Sequence, residues 1–269
     1  MAACPNRPAV SENIVRKQLL IGALVLCVLR GADVLAAPDE IQVYTEELNA
    51  PGEFGLEQHL NYTIKGQQTP DYPGQMTSHH VTQITPEFSY GLTQNLEAGL
   101  YLPLAINPAG DTFLNGLRLR LKYIAPRQLN EATFYGLNVE VGRDSSRISD
   151  SISGMELRPI IGYRDVRWLL SFNPILNVGL AANVSHQPQF EPALKLTHSV
   201  GAAARAGLEY YGEYGPLSHL LPRSQRAHTV YAVTDVEMHG FGINFGLGRG
   251  FVNAGDTWVM KAIIALPLE

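Results

Sequence analysis

Three cationic side chains stand at alternate positions of one short segment, where they could select anions or form ion pairs. Gly116 to Ile124 reads G-L-R-L-R-L-K-Y-I, so Arg118, Arg120 and Lys122 share one face of an extended strand and leucines take the other. A row of cations along a water-filled pore favours the passage of anions. If these residues line such a pore, changing all three to Gln should shift the reversal potential toward cation preference.

Acidic side chains at the inward positions of other predicted strands nearly balance these cations. The alternative interpretation is therefore an interior of ion pairs that conducts little, because an unpaired charge in a narrow lumen is costly. The strands that carry Glu97 and Glu140 flank the cationic strand, so cross-strand pairs are available. Glu191, Asp235 and Lys261 share the inward face. The predicted lumen-lining residues, for a pore or for an ion-pair network, are Glu57, His59, Glu87, Glu97, Arg118, Arg120, Lys122, Glu140, Glu156, Arg158, Lys195, Arg205 and Glu209.

The sequence offers little for catalysis or for binding a metal ion. His198-Ser199 and His79-His80 are the adjacent pairs that could begin a hydrolytic site, and neither comes with a recognisable arrangement of base and orienting acid. The histidines of loops and strand ends lack the spacing of metal ligands. We therefore predict no enzyme activity, no cofactor and no metal site. Esterase activity that Ser199→Ala abolishes would contradict this prediction.

The elements that position these side chains are strands, because apolar and polar residues alternate along most of the chain. Twelve such segments with hardly any helical stretch between them predict a closed antiparallel transmembrane β-barrel, apolar outside and polar inside. The predicted strands are 54–64, 83–92, 96–104, 116–124, 134–142, 155–163, 167–178, 189–197, 200–211, 228–236, 240–249 and 257–268.

Connections of alternating length support this barrel. Bacterial outer-membrane barrels have long loops outside and short turns in the periplasm. The predicted long loops are Lys65 to His80, Ala105 to Asn115, Arg143 to Ser153, Gly179 to Pro188 and Gly212 to Ala227.

Aromatic residues of the apolar face lie near strand ends and predict girdles at the two membrane interfaces. Ordinary core packing is the alternative. The predicted girdle residues are Phe54, Tyr90, Tyr101, Tyr123, Tyr135, Tyr163, Trp168, Tyr210, Phe241 and Trp258.

The first residues predict a secretory signal peptide, residues 1–36. A charged start precedes an apolar run from Leu19 to Leu29, and Val34 to Ala36 fits a cleavage site, so we place the cut after Ala36. The run is too short to span a bilayer as a helix. Cys4 and Cys27, the two cysteines of the chain, leave with the signal, which excludes disulfides and thiol chemistry in the mature chain.

Composition and charge are compatible with one large β domain after the signal. The apolar fraction is 45% and the net charge −5, and no basic run predicts a nucleic-acid partner. We assign residues 54–269 to the barrel and residues 37–53 to an N-terminal periplasmic lead. The sequence leaves open whether this lead plugs the lumen, adds a strand or hangs in the periplasm.

Three segments resemble a family of uncharacterised proteobacterial outer-membrane barrels labelled "MetA-pathway of phenol degradation". They are Glu40 to Tyr44, Asn49 to Glu57 and His59 to Thr63. The resemblance covers most of the mature chain, and its motifs are structural. It implies a transporter-like barrel that passes aromatic or other hydrophobic compounds, and it supplies no catalytic or binding residues.

The sequence therefore predicts an outer-membrane channel or transporter for small solutes, with membrane lipid and an unknown solute as its partners. Two alternatives remain. One is a structural or surface-interaction barrel with a closed, salt-bridged lumen, in which long loops such as Lys65 to His80 and Gly212 to Ala227 carry the role. The other is a lipid-acting barrel enzyme, which has the least support because the polar pairs at the strand ends form no recognisable catalytic arrangement.

Overall fold

The structure is a computed structural model that describes residues 40–128, 131–182, 184–238, 240–252 and 254–268. The predicted signal peptide lies outside the described residues. Within the described ranges, no helix is long and apolar enough to cross a membrane. The strands are β1 Phe54–Lys65, β2 Thr82–Thr93, β3 Leu96–Tyr101, β4 Leu104–Ile106, β5 Thr112–Leu114, β6 Gly116–Ile124, β7 Thr133–Asp144, β8 Ser153–Arg164, β9 Trp168–Gly179, β10 Gln189–Ser199, β11 Ala204–Glu213, β12 Ala227–Met238, β13 Phe241–Val252 and β14 Trp258–Leu268.

These segments form a closed antiparallel barrel of twelve strands. The first strand, β1, pairs with both β2 and β14, which closes the sheet into a ring. Strands β3 and β4 both pair with β2, so together they form one interrupted barrel strand. Strand β6 pairs with β3 and strand β5 pairs with β4, so β5 and β6 together form the next interrupted barrel strand. The predicted fold class and strand number are confirmed.

The alternation seen in the sequence separates two faces of the barrel wall. Leu117, Leu119 and Leu121 are 46%, 52% and 45% exposed on the outside, whereas Arg120 and Lys122 on the inside are 8% and 7% exposed. A contiguous apolar outer surface of this kind belongs in lipid, because exposing it to water around the whole barrel would be costly.

The two ends of the barrel differ. One end, which we call the turn end, carries short links such as 94–95, 165–167 and 200–203, and the other, the loop end, carries 66–81, 145–152, 180–188 and 214–226. In outer-membrane barrels the turn end faces the periplasm. Tight capping explains one short link: Asp165 Oδ1 accepts from the N–H groups of Trp168 (2.6 Å) and Arg167 (2.7 Å), which holds the pKa of Asp165 below its ordinary value.

Two predicted boundaries are wrong. The long loop predicted at Ala105 to Asn115 is shortened to residues 107–111, because Asn107 Oδ1 accepts from the N–H groups of Ala109 (3.0 Å) and Asp111 (2.9 Å) and closes a tight hairpin between β4 and β5.

The strand predicted to start at Val200 begins at Ala204. The reason is a turn in which the Val200 N–H donates to the Ala204 carbonyl (2.9 Å).

The predicted girdle residues divide between the two faces. At the turn end, outward aromatic side chains are between 39% (Tyr163) and 59% (Phe54) exposed, which fits a membrane interface. The assignment of Tyr101 to the girdle is wrong, because its side chain is 1% exposed and points into the barrel. It shares the parity of Glu97, and its neighbours Leu100 and Leu102 take the outer face. Among the described strands, the outward girdle residues at the turn end with these exposures are Phe54, Tyr123, Tyr135, Tyr163, Trp168 and Phe241, and the less exposed Tyr90 packs against Phe54 with ring centroids 4.5 Å apart.

Candidate functional site in the barrel lumen

The barrel lumen contains part of the protein's own chain, residues 40–53, which we call the lumen segment. It turns back at Gly52, whose N–H donates to Gly91 (2.8 Å), and it enters the barrel from the turn end. Ile41, Val43 and Tyr44 are 3%, 4% and 3% exposed. The description of residues 37–53 as a periplasmic lead is therefore corrected for the described part of the segment, because the polar wall of the lumen binds its main chain.

Cations of the wall donate to main-chain carbonyls of the lumen segment. These carbonyls have no strand partner, so side chains satisfy them instead. Charge-assisted hydrogen bonds of this type are stronger than those between neutral groups. The bonds run from Lys261 Nζ to Ile41 O (2.8 Å), from Arg158 Nη1 to Gln42 O (3.1 Å) and from Lys122 Nζ to Glu47 O (2.8 Å).

Tyr44 is the centre of the lumen segment. Its N–H donates to Asn173 Oδ1 (2.7 Å), and its carbonyl accepts from Ser171 Oγ (2.6 Å) and Asn173 Nδ2 (3.2 Å). Its hydroxyl is hydrogen-bonded to the Tyr101 hydroxyl and donates to Glu140 Oε1 (3.1 Å). The hydroxyl and both main-chain groups of Tyr44 are thus bound by wall residues of β3, β7 and β9, so this residue occupies the lumen between these strands.

Ion pairs fasten the lumen segment near the turn end. Arg164 contacts Glu46 (2.7 Å) and Glu47 (2.6 Å), and Arg127 lies 3.6 Å from Glu46. Glu47 is 68% exposed, so its contact with Arg164 is reached by water and is weak, whereas Glu46 is 9% exposed. The Asn49 N–H also donates to Glu97 (2.6 Å), so the segment is attached at the mouth as well as in the middle of the barrel.

The three cations that the sequence placed in one row have separate partners. Arg118 binds Asp144 (2.9 Å), and Arg120 binds both Glu87 and Glu97 (2.7 Å to Glu97). Lys122 donates to the lumen segment as described above. The ion-pair interpretation describes this row better than a row of free cations facing a pore.

A second network lies on the opposite wall. Lys195 contacts Glu209 (3.2 Å) and Asp235 (2.8 Å), and Lys261 contacts Glu209 at 2.5 Å. Lys261 and Glu209 have side chains that are 0% and 1% exposed, so this pair is buried, whereas Asp235 is 24% exposed. Arg205 contributes at the turn end, where it donates to the Arg167 carbonyl (3.0 Å).

The structure brings together one group that the sequence spacing concealed. Glu57, His59 and Glu87 each offer a possible ligand atom, and these atoms lie within 4.8 Å of one another, a set that could hold a metal ion. His59 Nε2 is 3.2 Å from Glu87, which also pairs with Arg120. The guanidinium opposes a second cation at this place, so the group serves more simply as part of the ion-pair network.

The remaining predicted residues extend these networks. Glu156 binds Arg158 (2.6 Å), and Arg158 also lies 3.6 Å from Glu40 of the lumen segment. Asn138 donates to Glu140 (2.8 Å). All thirteen predicted residues thus lie on the inner face of described strands.

Sequence reasoning missed Tyr44, Tyr101 and Asp144. The inward parity of Tyr101 with Glu97 was a signal for that residue, but nothing local indicates that Tyr44 occupies the lumen.

At the loop end, Asp256 joins two connections above the lumen. It accepts hydrogen bonds from the hydroxyl groups of Ser78 and Thr63 (3.5 Å to Thr63). Burial raises the pKa of Asp256 above its ordinary value. The loop 66–81 is thereby attached to the link between β13 and β14.

Gly91→Ala should loosen the entry of the lumen segment, because an added Cβ would lie 2.2 Å from the Ala50 carbonyl oxygen. We expect cleavage after Glu46 or Glu47 by a glutamate-specific protease to become about fivefold faster, since a strained attachment opens more often. Gly154→Ala is the matched control, because its Cβ would meet only the Val178 carbonyl at 3.6 Å. Equal cleavage rates in the two variants would contradict the close approach at Gly91.

No protein-family model and no curated protein matches the sequence. Solved structures do match the fold. The COG4313 outer membrane channel from Pseudomonas putida F1 has a TM-score of 0.59 at 11% identity over 85% of this chain and 100% of that chain. The NanC porin has a TM-score of 0.54 at 8% identity over 80% of this chain and 99% of that chain. At these identities the likeness concerns the fold, which is that of outer-membrane barrels.

Proposed function

We propose that the protein is an outer-membrane channel for small solutes that its own lumen segment closes at rest. The observation that carries this proposal is the set of hydrogen bonds from wall cations to the main chain of the segment, because it places a removable chain segment where a solute would pass. Structural likeness to a channel and a porin supports the same role.

The lumen segment can leave without breaking the barrel. Residues 40–53 take no part in the strand pairing, and β1 closes against β14 from Phe54 onward. A twelve-stranded barrel is wider than the small barrels that side chains alone fill. Withdrawal of the segment toward the turn end would therefore open a polar passage through an intact wall.

The solute is expected to be small and to meet a polar wall. Once the segment leaves, Lys122, Arg158 and Lys261 each have an N–H group free to donate to a solute, and the Asn173 amide can both donate and accept. These groups favour solutes with hydrogen-bonding oxygens. Passage of aromatic or other hydrophobic compounds, which the family resemblance implies, stays a prediction.

A closed structural barrel is the second candidate. The observation that favours it is the pairing of Arg118, Arg120 and Lys195 with wall carboxylates, since these pairs persist without the lumen segment. The two candidates differ in what happens when the segment is removed. A channel opens, and a lumen that its wall already fills does not.

A lipid-acting enzyme has the weakest support. The Ser199 hydroxyl donates to the Gly201 carbonyl (3.0 Å), and the His198 ring packs edge-on against Trp168 with centroids 4.5 Å apart. His80 is engaged by Tyr62 through Nδ1 (3.0 Å). These contacts direct the side chains away from a nucleophile–base arrangement, so we propose no catalytic role.

Planar-bilayer recording tests the channel proposal. The mature chain is refolded, its folding is checked by heat-shifted gel mobility, and current is recorded under a voltage ramp in a salt gradient. We expect rare, brief steps of current, because the lumen segment closes the pore at rest. Silence both from this protein and from a folded variant without the segment would contradict a channel.

A further inference from the structure

The outer surface of the loop end carries cations on the lipid-facing side of the wall. Arg249 of β13 points outward, and its guanidinium carbon lies 5.4 Å from the ring centre of Phe251 and 5.5 Å from that of Trp258. Cations held on aromatic rings at a membrane interface keep their charge near the headgroups. This cluster plays no part in the proposed lumen function.

Strand register gathers further polar donors around Arg249. Trp258 is the partner of Arg249 on β14 and also of Lys65 on β1, where a bulge interrupts the register. His228 on β12 is the partner of Phe251. Neighbouring strands lie about 4.8 Å apart, so these residues occupy one continuous patch.

His228 has a defined orientation. Its Nδ1 is hydrogen-bonded to the Tyr210 hydroxyl at 2.7 Å, and the two rings stack with centroids 5.9 Å apart. When the hydroxyl donates to Nδ1, the Nε2 atom carries the proton and serves as a donor. The imidazole thus adds a polar atom of fixed position, Nε2, to the patch.

The patch has an excess of positive charge. Among the described residues, no carboxylate forms an ion pair with Arg249 or Lys65. On the outward positions of β11 to β14 and β1 at the loop end, the described side chains include no Asp or Glu. Cations without a carboxylate partner at a lipid-facing interface are complementary to anionic headgroups.

We propose that Arg249, with Lys65 and His228 on either side of it, binds the phosphate groups of an outer-leaflet glycolipid of the lipopolysaccharide type. The loop end is the outer end by the rule for bacterial barrels. A guanidinium binds phosphate through two parallel hydrogen bonds, and the flanking rings pack beside the acyl chains. The site depends on the membrane orientation of the barrel and not on channel activity, so the two proposals can be tested separately.

Trp258 is a built-in probe of this site. The chain has two tryptophans, and Trp168 lies at the turn end, so Trp168→Phe leaves Trp258 as the reporter. The mature Trp168→Phe protein is refolded in maltoside micelles in phosphate-free buffer. It is titrated with diphosphorylated lipid A, with the same lipid after dephosphorylation, and with inorganic phosphate, while Trp258 emission is recorded.

We expect a saturable change in Trp258 emission with diphosphorylated lipid A, and Arg249→Gln should weaken it about tenfold, because a charge-assisted phosphate contact is lost. Lys65→Gln should weaken it less, and Arg249→Lys should restore part of the affinity. Arg143→Gln, an outward arginine at the loop end of β7, is the matched control and should leave binding unchanged.

Three results would overturn the proposal. Equal binding by the Arg249→Gln protein, or equal binding of phosphorylated and dephosphorylated lipid, would show that the cation does not recognise phosphate. The same saturable signal with inorganic phosphate at equal concentration would show a site for free anions and not for a lipid. Heat-shifted gel mobility of each variant confirms that a loss of binding is not a loss of folding.

Discussion

Removal of residues 37–48 from the mature chain should raise its mean conductance in planar bilayers by about tenfold or more, because a lumen that the lumen segment occupies becomes a continuous passage. In the intact chain Tyr44 is bound by Ser171 and Asn173 through its main chain and by Tyr101 and Glu140 through its hydroxyl. The deletion retains Asn49 and the turn that leads into β1. The measurement is single-channel current from protein with verified heat-shifted mobility.

Two controls make this result specific to the lumen segment. A synthetic peptide of residues 37–48 added on the turn-end side should reduce the current of the deletion variant, because it restores the same hydrogen bonds. Arg127→Gln removes one exposed contact to Glu46 at the mouth and should leave the current nearly as low as in the intact chain. Unchanged conductance in the folded deletion variant would favour the closed structural barrel.

Arg120→Met should lower the free energy of unfolding by about 3–5 kcal/mol, because it removes the cation that two buried carboxylates share: Glu97 loses its ion-pair partner and Glu87 keeps only His59. The side chains of Arg120, Glu87 and Glu97 are 6%, 2% and 5% exposed. Arg120 also lies over the rings of Tyr44 (5.7 Å) and Tyr101 (5.9 Å), so its loss loosens packing around the lumen segment. Denaturant unfolding in lipid vesicles, followed by tryptophan fluorescence, gives the measurement.

Arg118→Met is the matched control for this variant. It removes a cation of the same strand and the same face, but the Arg118 and Asp144 side chains are 22% and 16% exposed. Water stabilises the carboxylate that remains, so we expect a loss of about 1 kcal/mol. The triple variant Arg120→Met, Glu87→Gln, Glu97→Gln should recover part of the stability. Equal losses in the two single variants would mean that burial does not set the strength of these pairs.

Local pattern was enough to predict the barrel wall. Alternation such as that of Leu117 to Lys122 decides which side chains face lipid and which face the lumen, because neighbouring residues of a strand point to opposite sides. The number of strands and the inward parity of residues such as Glu57 and Lys195 follow from the same rule. Turn chemistry was harder to read, and the Asn107 hairpin inside a predicted loop is an example.

Tertiary structure alone decided which charges meet and what fills the pore. Arg120 of β6 binds Glu87 of β2 across β3, and Lys261 of β14 binds Glu209 of β11. Such contacts join strands that are not neighbours, so they depend on the curvature of the closed wall.

The lumen segment depends on the closed wall in the same way. The alternation of Ile41 and Val43 is that of a strand, and the segment lies in the lumen because the closed wall offers donors to its main chain. The sequence by itself determined the inner and outer faces of the wall. The closed three-dimensional fold determined the partners of the inner charges, since only closure brings distant strands within hydrogen-bond distance.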